Sequence, residues 1–154
     1  MPNRRTHVCV ATGAGAVVAL TRAQGQQSWY ALAETAGGAF GGFLGGMTPD
    51  YIEPPRWPGH RSLAHSWAAV GVGIGARGDI VHIIQCWEAY CRKKANLARS
   101  TRDMVSETAW RGCVLWLVEL FWRVIAGILS GLVAGYASHL VLDAFSPAGL
   151  PVVG

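Results

Sequence analysis

The sequence predicts an all-α protein: a membrane-embedded bundle of about four to five helices with metal-ligand residues gathered at one end. Three observations lead there. The chain of 154 residues is 51% hydrophobic yet only 14% charged, against about 25% charged in ordinary soluble domains. Its 20 glycines fall largely inside apolar stretches, most densely in Gly37-Gly38-Ala39-Phe40-Gly41-Gly42-Phe43-Leu44-Gly45-Gly46. There glycine would cost a soluble helix backbone entropy, whereas in a membrane small residues let helix backbones approach closely. Finally, histidines and aspartates mark the ends of the apolar runs. His7 opens the first, Asp50 closes the second, His60 and His65 open the third, and His139 and Asp143 lie near the end of the last.

Length predicts a single domain, 1–154. The first apolar run, His7 to Leu20, is short for a full span of about 20 residues. Arg4 and Arg5 precede it as in a secretory signal, but no small-x-small cleavage site follows, and cleavage would discard His7. The second run, Trp29 to Met47, holds one acid, Glu34, and is expected to stop at Thr48-Pro49 because proline removes a backbone donor. Four of the seven prolines lie between Pro49 and His60, so that segment is a constrained loop. The third run begins near Ser62, breaks at Arg77-Gly78-Asp79 and resumes through Trp87, as one interrupted helix or two short ones. A basic insertion, about 92–111, reads as an exposed or interfacial helix. The last stretch, Gly112 to Phe145, is too long for one ordinary span. Within it Glu119 and Arg123 stand four apart and can neutralise one another. Gly127, Gly131 and Gly135 then place a small residue at every fourth position, suited to a close neighbour.

An alternating path through these runs puts His7, Asp50, His60, His65, His139 and Asp143 at one end. Arg22, Arg77 and the cluster from Arg92 to Arg102 fall at the other, with His82. Basic residues are fewer at the histidine end (Arg4, Arg5, Arg56, Arg61), so the positive-inside rule places that end on the non-cytoplasmic side. The net charge of +4 is concentrated in one segment without interleaved aromatics, so no nucleic-acid partner is expected and membrane lipids are. Cys9, Cys86, Cys91 and Cys113 form no C-x-x-C pair and read as buried, reduced small hydrophobes.

Histidine and carboxylate converging on one spot suit zinc, with manganese as the second choice. His139 and Asp143 share one helical face at i, i+4. An aspartate in an apolar helix is costly unless it is paired or holds a metal. Asp50, at the less favourable dipole end of its helix, gains most from an adjacent cation. Arg61, between His60 and His65, would stand beside a metal as a clamp for phosphate oxygens.

These motifs together resemble the YdjM-like family of small bacterial inner-membrane proteins described as metal-dependent hydrolases. The matching positions are Thr6-His7, Pro49-Asp50, His60-Arg61-Ser62-Leu63-Ala64-His65-Ser66, and Gly135-Tyr136-Ala137-Ser138-His139 through Asp143 to Ser146-Pro147-Ala148-Gly149-Leu150-Pro151. The stretch from Ala76 to Cys113 carries no part of the likeness. The resemblance implies a multi-pass protein of the bacterial inner membrane. Its ligands would be His7, Asp50, His65, His139 and Asp143, with His60, around one or two divalent ions. In the family a second acid often follows Pro-Asp by two residues; here that place is Ile52, and Glu53 comes one later. The expected activity is hydrolysis of an ester or phosphoester, with a lipid headgroup as one candidate substrate. Metal-activated water would attack, Asp50 or Glu53 would accept the proton, and Arg61 would stabilise the charge on the substrate. The alternative expectation is a non-catalytic membrane protein with a structural metal or ion-pair cluster.

Overall fold

A computed structural model of the protein describes residues 4–52, 79–104 and 109–145, which form four α-helices with no strand among them. These are α1 (Arg4–Arg22), α2 (Ser28–Ile52), α3 (Asp79–Met104) and α4 (Ala109–Ala144). The turn between α1 and α2 closes on Gly25, whose φ of 82° is left-handed and suits the position after a helix end.

Glycine spacing decides how α1, α2 and α4 meet. Two glycines recur every four residues along α2 and make two smooth rows. Gly38, Gly42 and Gly46 lie against Ala11, Gly15 and Ala19 of α1, while Gly37, Gly41 and Gly45 lie against Val124, Ile128 and Leu132 of α4. From α4, the row Gly127, Gly131 and Gly135 presses onto the backbone at Glu34, Gly38 and Gly42. A methyl group at most of these positions would run into a neighbouring backbone, so the absence of side chains is what permits the approach. The small-residue row expected on the last helix thus faces α2, which is parallel to it. Each α4 position in the row meets the α2 position 93 residues earlier.

The interior is correspondingly small and partly polar. Buried apolar residues are chiefly alanines (Ala11, Ala19, Ala23, Ala95, Ala98, Ala126), while Val10, Val17, Leu32, Phe40, Leu117, Phe121 and Val141 face outward. α4, with 36 residues and a length of about 54 Å, is long and apolar enough to cross a membrane.

Three expectations are corrected. Helix α2 does not stop at Pro49 but carries it, buried, and continues to Ile52. So close to the helix end, proline forfeits only the hydrogen bond that its missing N–H would have made to Gly45, and the last turn survives. The basic segment beginning at Arg92 is continuous with the apolar stretch from Ile80, both lying on α3. It is also not simply exposed, because Glu88, Cys91, Ala95 and Ala98 form a buried stripe at helical spacing. Of the four cysteines only Cys91 is buried; Cys9, Cys86 and Cys113 are exposed, and all four are free thiols.

Candidate metal centre

At the end of the bundle where α1 begins and α2 and α4 finish, three side chains converge. His7 enters from the first turn of α1, and His139 and Asp143 from successive turns near the end of α4. All are buried, with exposures of 5%, 1% and 2%. One ligand atom from each falls within a group whose members lie no more than 4.8 Å apart, an arrangement able to hold a metal ion. Nε2 of His7 is 3.7 Å from Oδ1 of Asp143, and Nε2 of His139 is 3.4 Å from Oδ2. Donors around a tetrahedral zinc, each about 2.0–2.1 Å from the ion, sit about 3.3 Å from one another. The two rings are tilted at 39° with centroids 4.2 Å apart, so both edges address the same carboxylate.

The orientation of His139 is set from α2. Its Nδ1 lies 2.6 Å from the Gly46 carbonyl. A carbonyl only accepts, so Nδ1 carries the proton and donates, which leaves Nε2 directed at the carboxylates. Asp50, on the last turn of α2, completes that side, with Oδ1 3.7 Å from Nε2 of His139 and its side chain 24% exposed. Among the described residues, the site therefore has a buried floor and one carboxylate at its rim.

Of the residues expected from sequence, the fold brings together His7, Asp50, His139 and Asp143. His60, His65, Glu53 and Arg61 lie outside the described residues. His82 stands apart on α3, exposed, with Nε2 3.5 Å from Sγ of Cys86. The partner that sequence reasoning missed is Gly46, which contributes only a backbone oxygen and leaves no side-chain signal.

The opposite end of the bundle holds a second polar assembly, also missed apart from one pair. Glu34, Glu119 and Arg123 are essentially inaccessible, at 0%, 0% and 2% exposure. The expected pair forms, with Arg123 Nη2 3.2 Å from Glu119 Oε1, and Arg123 donates further to Asn96 at 3.0 Å and to Gln26 at 2.5 Å. Arg92 pairs with Glu34 and, at 3.1 Å, with Glu88, which in turn pairs with Arg22. Arg102 donates to the Tyr30 hydroxyl at 2.9 Å and to Glu119 at 3.0 Å. The signal that was available is an acid inside the apolar runs of α2 and α4, Glu34 and Glu119, with Arg99, Arg102 and Arg111 shortly before the second. On the buried stripe of α3, burial and then the neighbouring Glu88 carboxylate push the Cys91 thiol above its usual range, so it stays protonated and unreactive.

Comparison of the chain with protein-family models, with curated proteins and with solved structures finds no match.

Proposed function

We propose that this is a multi-pass membrane protein that holds a divalent metal, zinc before manganese, among His7, His139, Asp143 and Asp50, and uses it to hydrolyse an ester or phosphoester. The observation that carries the reading is the convergence of the two imidazoles and the Asp143 carboxylate from α1 and α4 in a buried position. A bound metal would supply an acidified water, with a pKa near 7, as nucleophile. Asp143 and the histidines hold the ion, and Gly46 keeps His139 in the tautomer that can ligate. Asp50, at the rim, is the carboxylate placed to take a proton from outside the buried set. Glu53 and Arg61 are proposed as a second base and an oxyanion clamp on sequence grounds, by the likeness to the YdjM-like family.

Membrane embedding is supported by the inverted pattern of the bundle, small and polar residues within and large apolar ones without, together with the span-length α4. In water such an exterior would be a liability; in acyl chains it is the solvated face. By the same likeness we place the protein in a bacterial inner membrane, and by the positive-inside rule, from the fewer basic residues at that end, we put the histidine end on the non-cytoplasmic side.

One observation favours a second reading. The triad is more deeply buried than a site open to substrate requires, as expected for a structural metal that ties α1 to α4. Elemental analysis of detergent-purified protein, beside His139→Ala and Asp143→Ala, tests both readings. Stoichiometric metal in the wild type, lost in each variant, supports the centre. Turnover of bis-p-nitrophenyl phosphate or phospholipid by the loaded protein then favours the hydrolase, and its absence the structural metal. A folded wild type that retains no metal overturns both.

A further inference from the structure

The charged assembly at the far end of the bundle answers a question that the glycine packing leaves open. The rows joining α2 and α4 repeat every four residues: Gly127, Gly131, Gly135 and then His139 on α4, against Glu34, Gly38, Gly42 and Gly46 on α2. Advancing one helix by a single repeat, about 6 Å, sets small residues against small residues once more along most of the interface. A period-four interface of this kind specifies closeness but discriminates poorly between registers. The same shift would carry His139 and Asp143 a full repeat away from Gly46 and Asp50.

We propose that α3 is a register clamp, and that Arg92 and Arg102 are positioning residues for the metal centre at the other end of the helices. α3 is suited to this because its buried stripe, Glu88, Cys91, Ala95 and Ala98, contains no large apolar side chain. Apart from an edge contact between Tyr90 and Trp122 of α4, it is held by charge and hydrogen bonds, and these grip both helices at once. Toward α2, Arg92 meets Glu34 and Arg102 meets Tyr30; toward α4, Arg102 meets Glu119 and Asn96 meets Arg123. The α1–α2 turn joins the same assembly through Gln26, which bonds to Arg123 and Glu34. Buried ionic groups have specificity of register as their best-attested use, since a slipped partner leaves a charge without its counter-ion. Helices are stiff along their axes, so a register set at Glu34 and Glu119 is delivered to Gly46 and His139.

The register itself does not depend on a metal; only its consequence at His139 rests on the function proposed above. Two readouts therefore separate the ideas. Spin labels at Phe40→Cys and Leu117→Cys, both outward-facing, are placed in full-length protein whose native cysteines are replaced, and their separation is measured in detergent. Zinc affinity is measured by chelator competition on the same proteins without labels. The parent shows one distance. The variant E34Q/R92M/R102M, which removes the charged grip on α2, is expected to add a second population displaced by about 6 Å and to lose at least tenfold in zinc affinity. The milder R102M is expected to show a smaller second population, and keeps the test informative if the triple variant fails to fold. A single parental distance in both R102M and the triple variant overturns the clamp. Absence of zinc binding in the wild type overturns the metal reading alone and leaves the distances to decide the register.

Discussion

His139 reaches across the α2–α4 contact to donate its Nδ1 proton to the carbonyl of Gly46, at 2.6 Å. The contact depends on glycine, because position 46 is also where α1 presses in through Ala11. One residue thereby serves two interfaces: its missing side chain admits α1, and its backbone oxygen aims the imidazole of α4. The end that carries His7, His139 and Asp143 is thus built from packing that elsewhere is only structural.

Glycine substitutions are expected to divide sharply by position. A methyl group at Gly131 meets the backbone of Gly38, whereas one at Gly13 or Gly112 meets nothing within 4 Å. Gly131→Ala is expected to destabilise the protein by about 1–3 kcal/mol through overpacking. Gly13→Ala and Gly112→Ala are expected to be neutral or to stabilise by up to about 1 kcal/mol through helix propensity. Thermal unfolding in one detergent orders the three, and a stable Gly131→Ala would contradict the close helix contact.

Breaking the far-end assembly at its most buried point is expected to be costly. Arg123→Met leaves Glu119, Asn96 and Gln26 without their shared donor. Loss of one member of a buried ion pair costs about 3–5 kcal/mol, here eased because Arg102 still reaches Glu119. Lys93→Met, on the exposed side of α3, is the control and is expected to change little. Denaturant unfolding of the two variants distinguishes a buried network from surface charge.

Metal should appear in stability as well as in composition. Zinc at a hundred times its Kd is expected to raise unfolding stability by about 2.7 kcal/mol by mass action, and excess chelator to remove the gain. His7→Ala and Asp143→Ala are expected to abolish the response, while His82→Ala, remote on α3, preserves it. Differential scanning fluorimetry with and without zinc reads the effect. An equal response in His7→Ala would place the ion elsewhere.

The Cys91 thiol provides a pH test of how α3 is docked. Its pKa is raised in the folded protein, chiefly by burial. The folded state therefore holds the proton more tightly than the unfolded chain. That contribution to stability is complete below the unfolded thiol pKa of about 8.5 and is lost as pH rises through the folded value. Alkylation of Cys91 at neutral pH is expected to be slow beside that of Cys86, which is exposed. Cys91→Ala is expected to flatten the alkaline decline in stability, and an unchanged decline would assign it to other groups.

How much of this was legible in the chain differs by scale. Hydropathy and glycine spacing mark α1, α2 and α4, because helical periodicity and backbone approach are local properties of consecutive residues. The ends to which His7, Asp50, His139 and Asp143 belong could also be read, since alternating runs between loops leave little freedom in which ends coincide. The i, i+4 pair of Glu119 and Arg123 needed only one helix. The fate of Arg92 and Arg102 was not legible. From composition they belong to a solvated basic segment; in the fold they turn inward, because Glu34, 58 positions before Arg92, and Glu119 present charges that burial leaves needing a partner.

Sequence alone determined helical class, the small-residue faces and which histidines and aspartates could share one end, because each follows from side-chain chemistry repeated along one axis. Tertiary structure alone decided which rows meet, in what register, and that a backbone oxygen of Gly46 aims His139. Those outcomes depend on distances between segments tens of residues apart, which no local pattern encodes and which only simultaneous packing and charge pairing can select.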